Sequence, residues 1–184
     1  IFTHHDNQDI KSREERRCQN IEGWHQIAEH AKVCGLDFLS WEPMSISREQ
    51  GETLAETRRL QEDVNQHAPL PFKICLDVDH GDVMSPNPDD TDPYAWLSTF
   101  AKDSPLIHLK QSSSNKGGHW PFTEAHNRGG RIVPKKVLDV LVANGSPGAE
   151  LILELSFRER EPADSTVVEA LKESVAYWRK EVCQ

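Results

Sequence analysis

Four short apolar runs of this chain each end on a side chain that can bind a metal ion. The four side chains are Glu42, Asp77, His108 and Glu154. Parallel strands point their carboxyl ends at the same edge of a sheet, so four such strands would bring these groups together. Three carboxylates and one imidazole form a hard, anionic site that suits a divalent ion. Any one of them is read equally well as an ordinary polar group at a strand end, but the four together favour a metal site.

The intervening segments have the length and apolar spacing of helices. Strands are predicted over residues 36–41, 72–78, 106–109 and 150–157, and helices over residues 12–34, 47–66, 93–101, 132–143 and 165–182. Residues 111–130 show little apolar periodicity, so the sequence predicts a long loop there. Loops of that length in a compact domain are often functional.

A helix followed by four strand–helix units predicts an α/β fold with a parallel sheet and right-handed crossovers. No GxGxxG sequence follows a strand, so a dinucleotide-binding fold has no direct support. Four units make half of a (β/α)8 TIM barrel, which needs roughly 250 residues, whereas this sequence has 184. It also begins without Met. We therefore expect residues 1–184 to be the C-terminal part of a single barrel domain, with an open sheet as the alternative.

The charge balance limits the partners. A net charge of −9 argues against nucleic acid or an anionic membrane as the main partner. It leaves room for a local basic pocket that binds a phosphorylated small molecule. No apolar run reaches transmembrane length and no signal peptide is visible. The four cysteines form no CxxC pair, which favours reduced thiols and a cytoplasmic location, with Cys34 and Cys75 as core residues.

Four motifs carry a resemblance to a known family. They are Trp41-Glu42-Pro43, Leu76-Asp77-Val78-Asp79-His80, Ile107-His108-Leu109 and Leu153-Glu154. Each is weak alone, but their order and spacing resemble the second half of the xylose-isomerase-like barrel superfamily. The resemblance is greatest to its ketose 3-epimerases, which include tagatose and psicose 3-epimerases and the tetrulose phosphate epimerases of erythritol breakdown. It extends over essentially the whole chain.

The resemblance implies a metal centre in which Glu42, Asp77, His108 and Glu154 hold one divalent ion. The ion would be Mn²⁺, Mg²⁺ or Co²⁺, with Zn²⁺ as a further option. The family carries a substrate-contacting His three residues after the metal Asp, and that position is His80 here. Asp79 competes with Asp77 as the ligand. Asp77 is favoured because it follows the apolar run directly and has the family spacing to His80.

The chemistry of a ketose 3-epimerase fits these residues. Removal of the C3 proton needs a base on one face and positive charge near the enediolate oxygens. Inversion needs an acid on the opposite face. We assign these catalytic roles to Glu42 and Glu154, in either order, with Asp77 and His108 as mainly structural ligands.

Polar residues after His108 have the composition of a phosphate-binding site. The predicted substrate-binding residues there are Lys110, Ser112, Lys116 and Arg158, in addition to His80. Lys110 is preferred because it stands two residues beyond His108, on the same face of the strand. A solvated loop with incidental charge is the other interpretation. The cluster favours a short phosphorylated ketose, such as a tetrulose phosphate.

Three other functions stay open at this stage. An aldose–ketose isomerase would use the same metal site to move hydrogen between C1 and C2. An abasic-site endonuclease of the superfamily would need three zinc ions and a basic groove, which the acidic balance disfavours. A non-catalytic binding domain would be expected to have lost a ligand. A homo-oligomer is compatible with the resemblance, since relatives often form dimers or tetramers.

Overall fold

The structure is a computed structural model that describes residues 9–46, 49–113, 116–157 and 165–182. Its described residues fall into two compact units. The first lies within Ile1–Leu76 and His80–Asp92, and the second within Asp77–Asp79 and Pro93–Gln184.

In its described residues, the first unit contains two α-helices and two parallel strands. Its elements are α1 (Ile10–Val33), β1 (Leu39–Trp41), α2 (Leu54–Asn65), β2 (Phe72–Asp77) and a short 3-10 helix (Pro88–Thr91). In the parallel pair β1–β2, Trp41 lies opposite Ile74. Trp24 of α1 stacks on Phe72 at 5.9 Å between ring centroids, so the helix covers the strand pair with aromatic surface.

Helix α2 begins later than the sequence indicated. The prediction started it at residue 47, but residues 49–53 are not helical, and residues 47–48 lie outside the described part. Gly51 has φ +88°, a left-handed conformation that a helix cannot contain. Thr53 then caps the helix, because its side chain accepts a hydrogen bond from the backbone N–H of Glu56.

The second unit contains a parallel strand pair, a polar hairpin and four helices within its described residues. Its elements are α3 (Pro93–Phe100), β3 (Leu106–Leu109), β4 (Gln111–Ser113), β5 (Lys116–Trp120), α4 (Glu124–Asn127), α5 (Pro134–Ala143), β6 (Glu150–Leu153) and α6 (Val167–Val182), with a 3-10 turn at Ala101–Asp103. Strands β3 and β6 are parallel, and His108 lies opposite Ile152. Ile107 and Leu109 are buried on one face of β3, whereas His108 is only partly covered.

The prediction of one long loop over residues 111–130 was wrong. Strands β4 and β5 form an antiparallel hairpin there, and the short helix α4 follows. The hairpin escapes a periodicity search because its strands are polar. A buried amide holds it in place: the Gln111 side chain accepts from the backbone N–H of Ile132 and donates to the Ile132 carbonyl. That contact spans 21 residues and leaves no local signature.

The close approach of Gly130 to Gln111 provides a stability test. A Cβ atom on Gly130 would overlap the buried Gln111 amide, whereas one on Gly129 would meet nothing within 4 Å. We expect Gly130→Ala to lower the free energy of unfolding by about 1–3 kcal/mol, the usual range for overpacking. Gly129→Ala is the matched control and should change it by less than about 0.5 kcal/mol. Chemical denaturation of both variants measures this, and equal stabilities would contradict the account.

The remaining predicted strands and helices are present in the structure, but several of them begin or end at other residues. The parallel pairing of strands alternating with helices is confirmed. Strand β1 starts at Leu39 and β6 ends at Leu153, so both are shorter than expected. Cys75 is buried as expected, but Cys34 is exposed because it follows the last turn of α1. Among the described residues, every helix is too short or too polar to cross a bilayer.

Candidate active site

Three of the four predicted ligands meet in the second unit. The backbone N–H of Val78 donates to the His108 carbonyl at 3.2 Å, and that of Glu154 donates to the Leu109 carbonyl at 2.9 Å. These bonds hold residues 77–79 and Glu154 against the carboxyl end of β3. One ligand atom each from Asp77, His108 and Glu154 lies within 4.8 Å of the others.

The electrostatics of this cluster fit a divalent cation. The Asp77 side chain is fully buried, and its Oδ1 accepts from the Asp79 backbone N–H at 2.6 Å. Burial raises the pKa of Glu154, and the Asp77 carboxyl raises it further, while Lys110 and His119 act in the opposite direction. Two carboxyl groups therefore crowd one another beside the His108 imidazole. Carboxylate and imidazole donors this close are a suitable ligand set for one divalent ion.

Lys110 lies inside this cluster. Its side chain is 2 % exposed, and its Nζ lies 2.8 Å from Asp77 Oδ2 and 3.7 Å from Glu154 Oε2. His119, on the hairpin strand β5, places its Nε2 3.0 Å from the same ammonium group and 3.6 Å from Glu154 Oε1. Lys110 therefore contacts side chains of the candidate metal centre itself.

Asp79 has a separate set of partners, which bears on its competition with Asp77. Its Oδ1 forms an ion pair with Arg131 and accepts a hydrogen bond from Ser112 Oγ at 2.8 Å. Arg131 also donates from Nε to Ser112 Oγ at 3.1 Å. Asp79 and Ser112 thus join β4 to the segment before α5, which supports Asp77 as the metal-ligand candidate.

In the first unit, Glu42 follows β1 directly and lies beside His80. Nδ1 of His80 is 2.8 Å from the Pro43 carbonyl and 3.4 Å from Glu42 Oε1. Donation to that carbonyl requires the proton on Nδ1, which leaves the lone pair of the neutral ring on Nε2. A Cβ on Gly51 would lie 2.9 Å from Trp41, so the small residue lets the chain pass close to the Trp41-Glu42-Pro43 motif.

Two predicted substrate-binding residues cannot be placed. Arg158 and the side chain of Lys116 lie outside the described part of the chain, although the Lys116 backbone begins β5. Arg128, at the end of α4, is exposed and pairs with Glu124 one helical turn away. Trp120 stacks on His126 with ring centroids 5.4 Å apart.

Sequence reasoning missed Arg131 and did not place His119 at the metal centre. Arg131 lies 52 residues from its partner Asp79, and no local pattern connects the two. The position of His119 beside Glu154 depends on β5, so it could have been predicted only if the hairpin had been predicted.

Parallel strands alternating with helices, with carboxylate and imidazole groups at their carboxyl ends, are typical of α/β-barrel proteins. The model of the xylose isomerase-like TIM barrel family matches residues 1–181, and the chain belongs to that family. This confirms the fold class and the resemblance read from the motifs.

A curated relative and a solved structure are similar to the chain. It is 50 % identical over 179 residues to the D-erythrulose 1-phosphate 3-epimerase of Brucella abortus, a match covering 97 % of this chain and 58 % of that protein. A crystal structure of a Rhodospirillum rubrum protein, provisionally named a xylose isomerase, superposes with a TM-score of 0.79 at 20 % identity. That match covers 98 % of this chain and 58 % of the other, and it shows the fold alone. The chain thus spans somewhat more than half the length of both proteins.

Proposed function

We propose that the protein containing this chain is a metal-dependent 3-epimerase of a short ketose phosphate, with D-erythrulose 1-phosphate or a closely similar tetrulose phosphate as substrate. The observation that carries the proposal is the convergence of Asp77, His108 and Glu154 within 4.8 Å. The relative that is 50 % identical bears the name of that activity.

Asp77, His108 and Glu154 would hold the metal ion, and Glu42, which follows β1, would be the fourth ligand. A divalent ion in this place supplies positive charge to the substrate oxygens next to the reacting carbon. Mn²⁺, Mg²⁺ and Co²⁺ suit a set dominated by carboxylates, and Zn²⁺ also accepts it.

Glu154 and Glu42 would move the proton at C3. One group, as a carboxylate, removes that proton, and the other, as a carboxylic acid, donates its own proton from the opposite face, which inverts the centre. In the metal-free protein, burial and the Asp77 carboxyl raise the pKa of Glu154. His80, with its lone pair on Nε2, would accept a hydrogen bond from a substrate hydroxyl.

The phosphate group would bind near the β4–β5 hairpin. Lys116 and Arg158 stay predictions for this role. Lys110 and Ser112 also stay predictions, although their ammonium and hydroxyl groups contact Asp77 and Asp79 respectively. The remaining expectation about partners, a homo-oligomer, is likewise a prediction.

Proton exchange in D₂O tests the proposal. The full-length protein would be incubated with Mn²⁺ and D- or L-erythrulose 1-phosphate, and the sugar protons followed by NMR. Deuterium uptake at C3 together with the other stereoisomer is the expected result. A 1-phosphate cannot form an aldehyde at C1, so unphosphorylated erythrulose would be incubated in parallel, where formation of an aldose would identify an aldose–ketose isomerase. A sugar that stays unchanged in both incubations would contradict both functions.

Metal removal gives a second prediction. Dialysis against EDTA should abolish C3 exchange, because the oxygens of the deprotonated sugar then lose their counter-charge. Addition of Mn²⁺ or Co²⁺ should restore it, and addition of Ca²⁺, which prefers more ligands and longer distances, should restore it less. Exchange that continues at the full rate in metal-free protein would show that the metal is not required.

A further inference from the structure

The buried ammonium group of Lys110 adds a fixed positive charge to the candidate metal centre. Its side chain is 2 % exposed and that of Asp77 is fully buried, so this ion pair is screened little by solvent. Glu154 Oε2 lies 3.7 Å from the same Nζ. The cation is therefore shared by two of the carboxylates proposed to bind the metal.

A charge this deeply buried persists only if nearby groups compensate for its lost hydration. The compensation at Lys110 comes from Asp77 at 2.8 Å, Glu154 at 3.7 Å and the His119 ring at 3.0 Å. Lys110 in turn stabilises the two carboxylates. The ammonium group reduces the repulsion between the Asp77 and Glu154 carboxyl groups, which lie within 4.8 Å of one another.

We propose that Lys110 is the internal cation of this centre: it keeps Asp77 and Glu154 assembled without a metal, and it weakens the binding of a divalent ion. The inference rests on the proposed metal site. An ion bound to Asp77 and Glu154 would lie close to the ammonium group and be repelled by it. Lys110 is thus a positioning residue: it preforms the site in the metal-free protein and lowers the affinity of the site for a metal ion.

The effect of Lys110 on the stability of the metal-free protein and its effect on metal affinity are thermodynamically linked. If Lys110 stabilises the metal-free arrangement more than the metal-bound one, its removal must tighten metal binding by the same factor. Neutral substitutions at position 110 should therefore lower the unfolding temperature in EDTA and enlarge the increase produced by the metal. A lysine that merely fills space would change both states equally.

The experiment uses the full-length protein and Mn²⁺ alone. Mn²⁺ affinity would be measured by calorimetric titration for wild type, Lys110→Met and Lys110→Gln, and unfolding temperatures with EDTA and with Mn²⁺. Gln keeps a hydrogen-bond donor toward Asp77, so it separates charge from hydrogen bonding. Lys135→Met is the control, because Lys135 is an exposed lysine paired with Asp139 on α5.

We expect both neutral variants to bind Mn²⁺ at least tenfold more tightly than wild type, and to unfold at a lower temperature in EDTA. The control should match wild type in both measurements. If Lys110→Met fails to fold, Lys110→Gln supports the comparison alone. Unchanged or weaker Mn²⁺ binding in a folded neutral variant would overturn the proposal. Wild type that binds no Mn²⁺ would overturn it too, and would identify the metal site itself as the failed premise.

Discussion

Glu154→Gln should lower the rate of C3 exchange by at least about 10²–10⁴-fold, the usual contribution of a general acid or base. Gln cannot accept a proton and is a poorer metal ligand than a carboxylate. The fold should survive, because Glu154 is partly exposed and lies just after β6. Turnover by NMR and thermal unfolding in EDTA are the two measurements.

Glu154→Gln should also affect the stability of the metal-free protein, and the pKa of Glu154 determines the direction. Burial and the Asp77 carboxyl raise the pKa of Glu154, so its contribution to stability is complete below the ordinary Glu pKa and is lost as pH rises through the raised value. At neutral pH the ionised group is therefore unfavourable in metal-free protein. Glu154→Gln should then unfold at a temperature no lower than wild type.

Glu150→Gln is the matched control for Glu154, since Glu150 is an exposed glutamate at the start of the same strand. It should retain wild-type turnover. An active Glu154→Gln enzyme would remove Glu154 from the proposed mechanism. Loss of activity accompanied by loss of the fold would contradict the account of its position.

Asp77→Asn should have the second large effect, on both metal and stability. The substitution keeps the shape but removes the charge that compensates buried Lys110. Breaking one side of a buried pair costs about 3–5 kcal/mol, so we expect the metal-free protein to lose about 3 kcal/mol or more of unfolding free energy. Mn²⁺ affinity should fall at least a hundredfold, because a carboxylate ligand is lost.

A double substitution separates the two consequences. In Asp77→Asn with Lys110→Met, the uncompensated ammonium is gone, so stability should recover substantially while Mn²⁺ affinity stays low. Denaturant unfolding and calorimetric titration measure these quantities. Wild-type stability of the single variant would show that the Asp77–Lys110 pair is not important for the fold.

Much of the candidate site was readable from local sequence. Apolar runs ending on Asp77, His108 and Glu154 predicted strands with those residues at their carboxyl ends, and the structure brings the three together. The alternation of strands and helices predicted the parallel pairs. These features are accessible because burial imposes a short repeat on the chain, and because the strand direction determines where its last residue lies.

The hairpin and the polar network were not readable in the same way. The β4–β5 hairpin depends on the Gln111 amide meeting the backbone of Ile132, and Asp79 is paired with Arg131. Each contact joins residues far apart in the chain, and polar strands show no apolar period. Such contacts are selected by three-dimensional proximity rather than by local propensity.

The sequence by itself determined the order of the parallel strands and of the main helices, the acidic character and the residues at the ends of those strands. The tertiary structure decided how those residues are used. It placed Lys110 among the carboxylates, brought His119 close to Glu154 and paired Asp79 with Arg131. The physical reason is that burial and the side chain's periodic direction are local properties, whereas the pairing of charges depends on which side chains the completed fold places within a few ångströms.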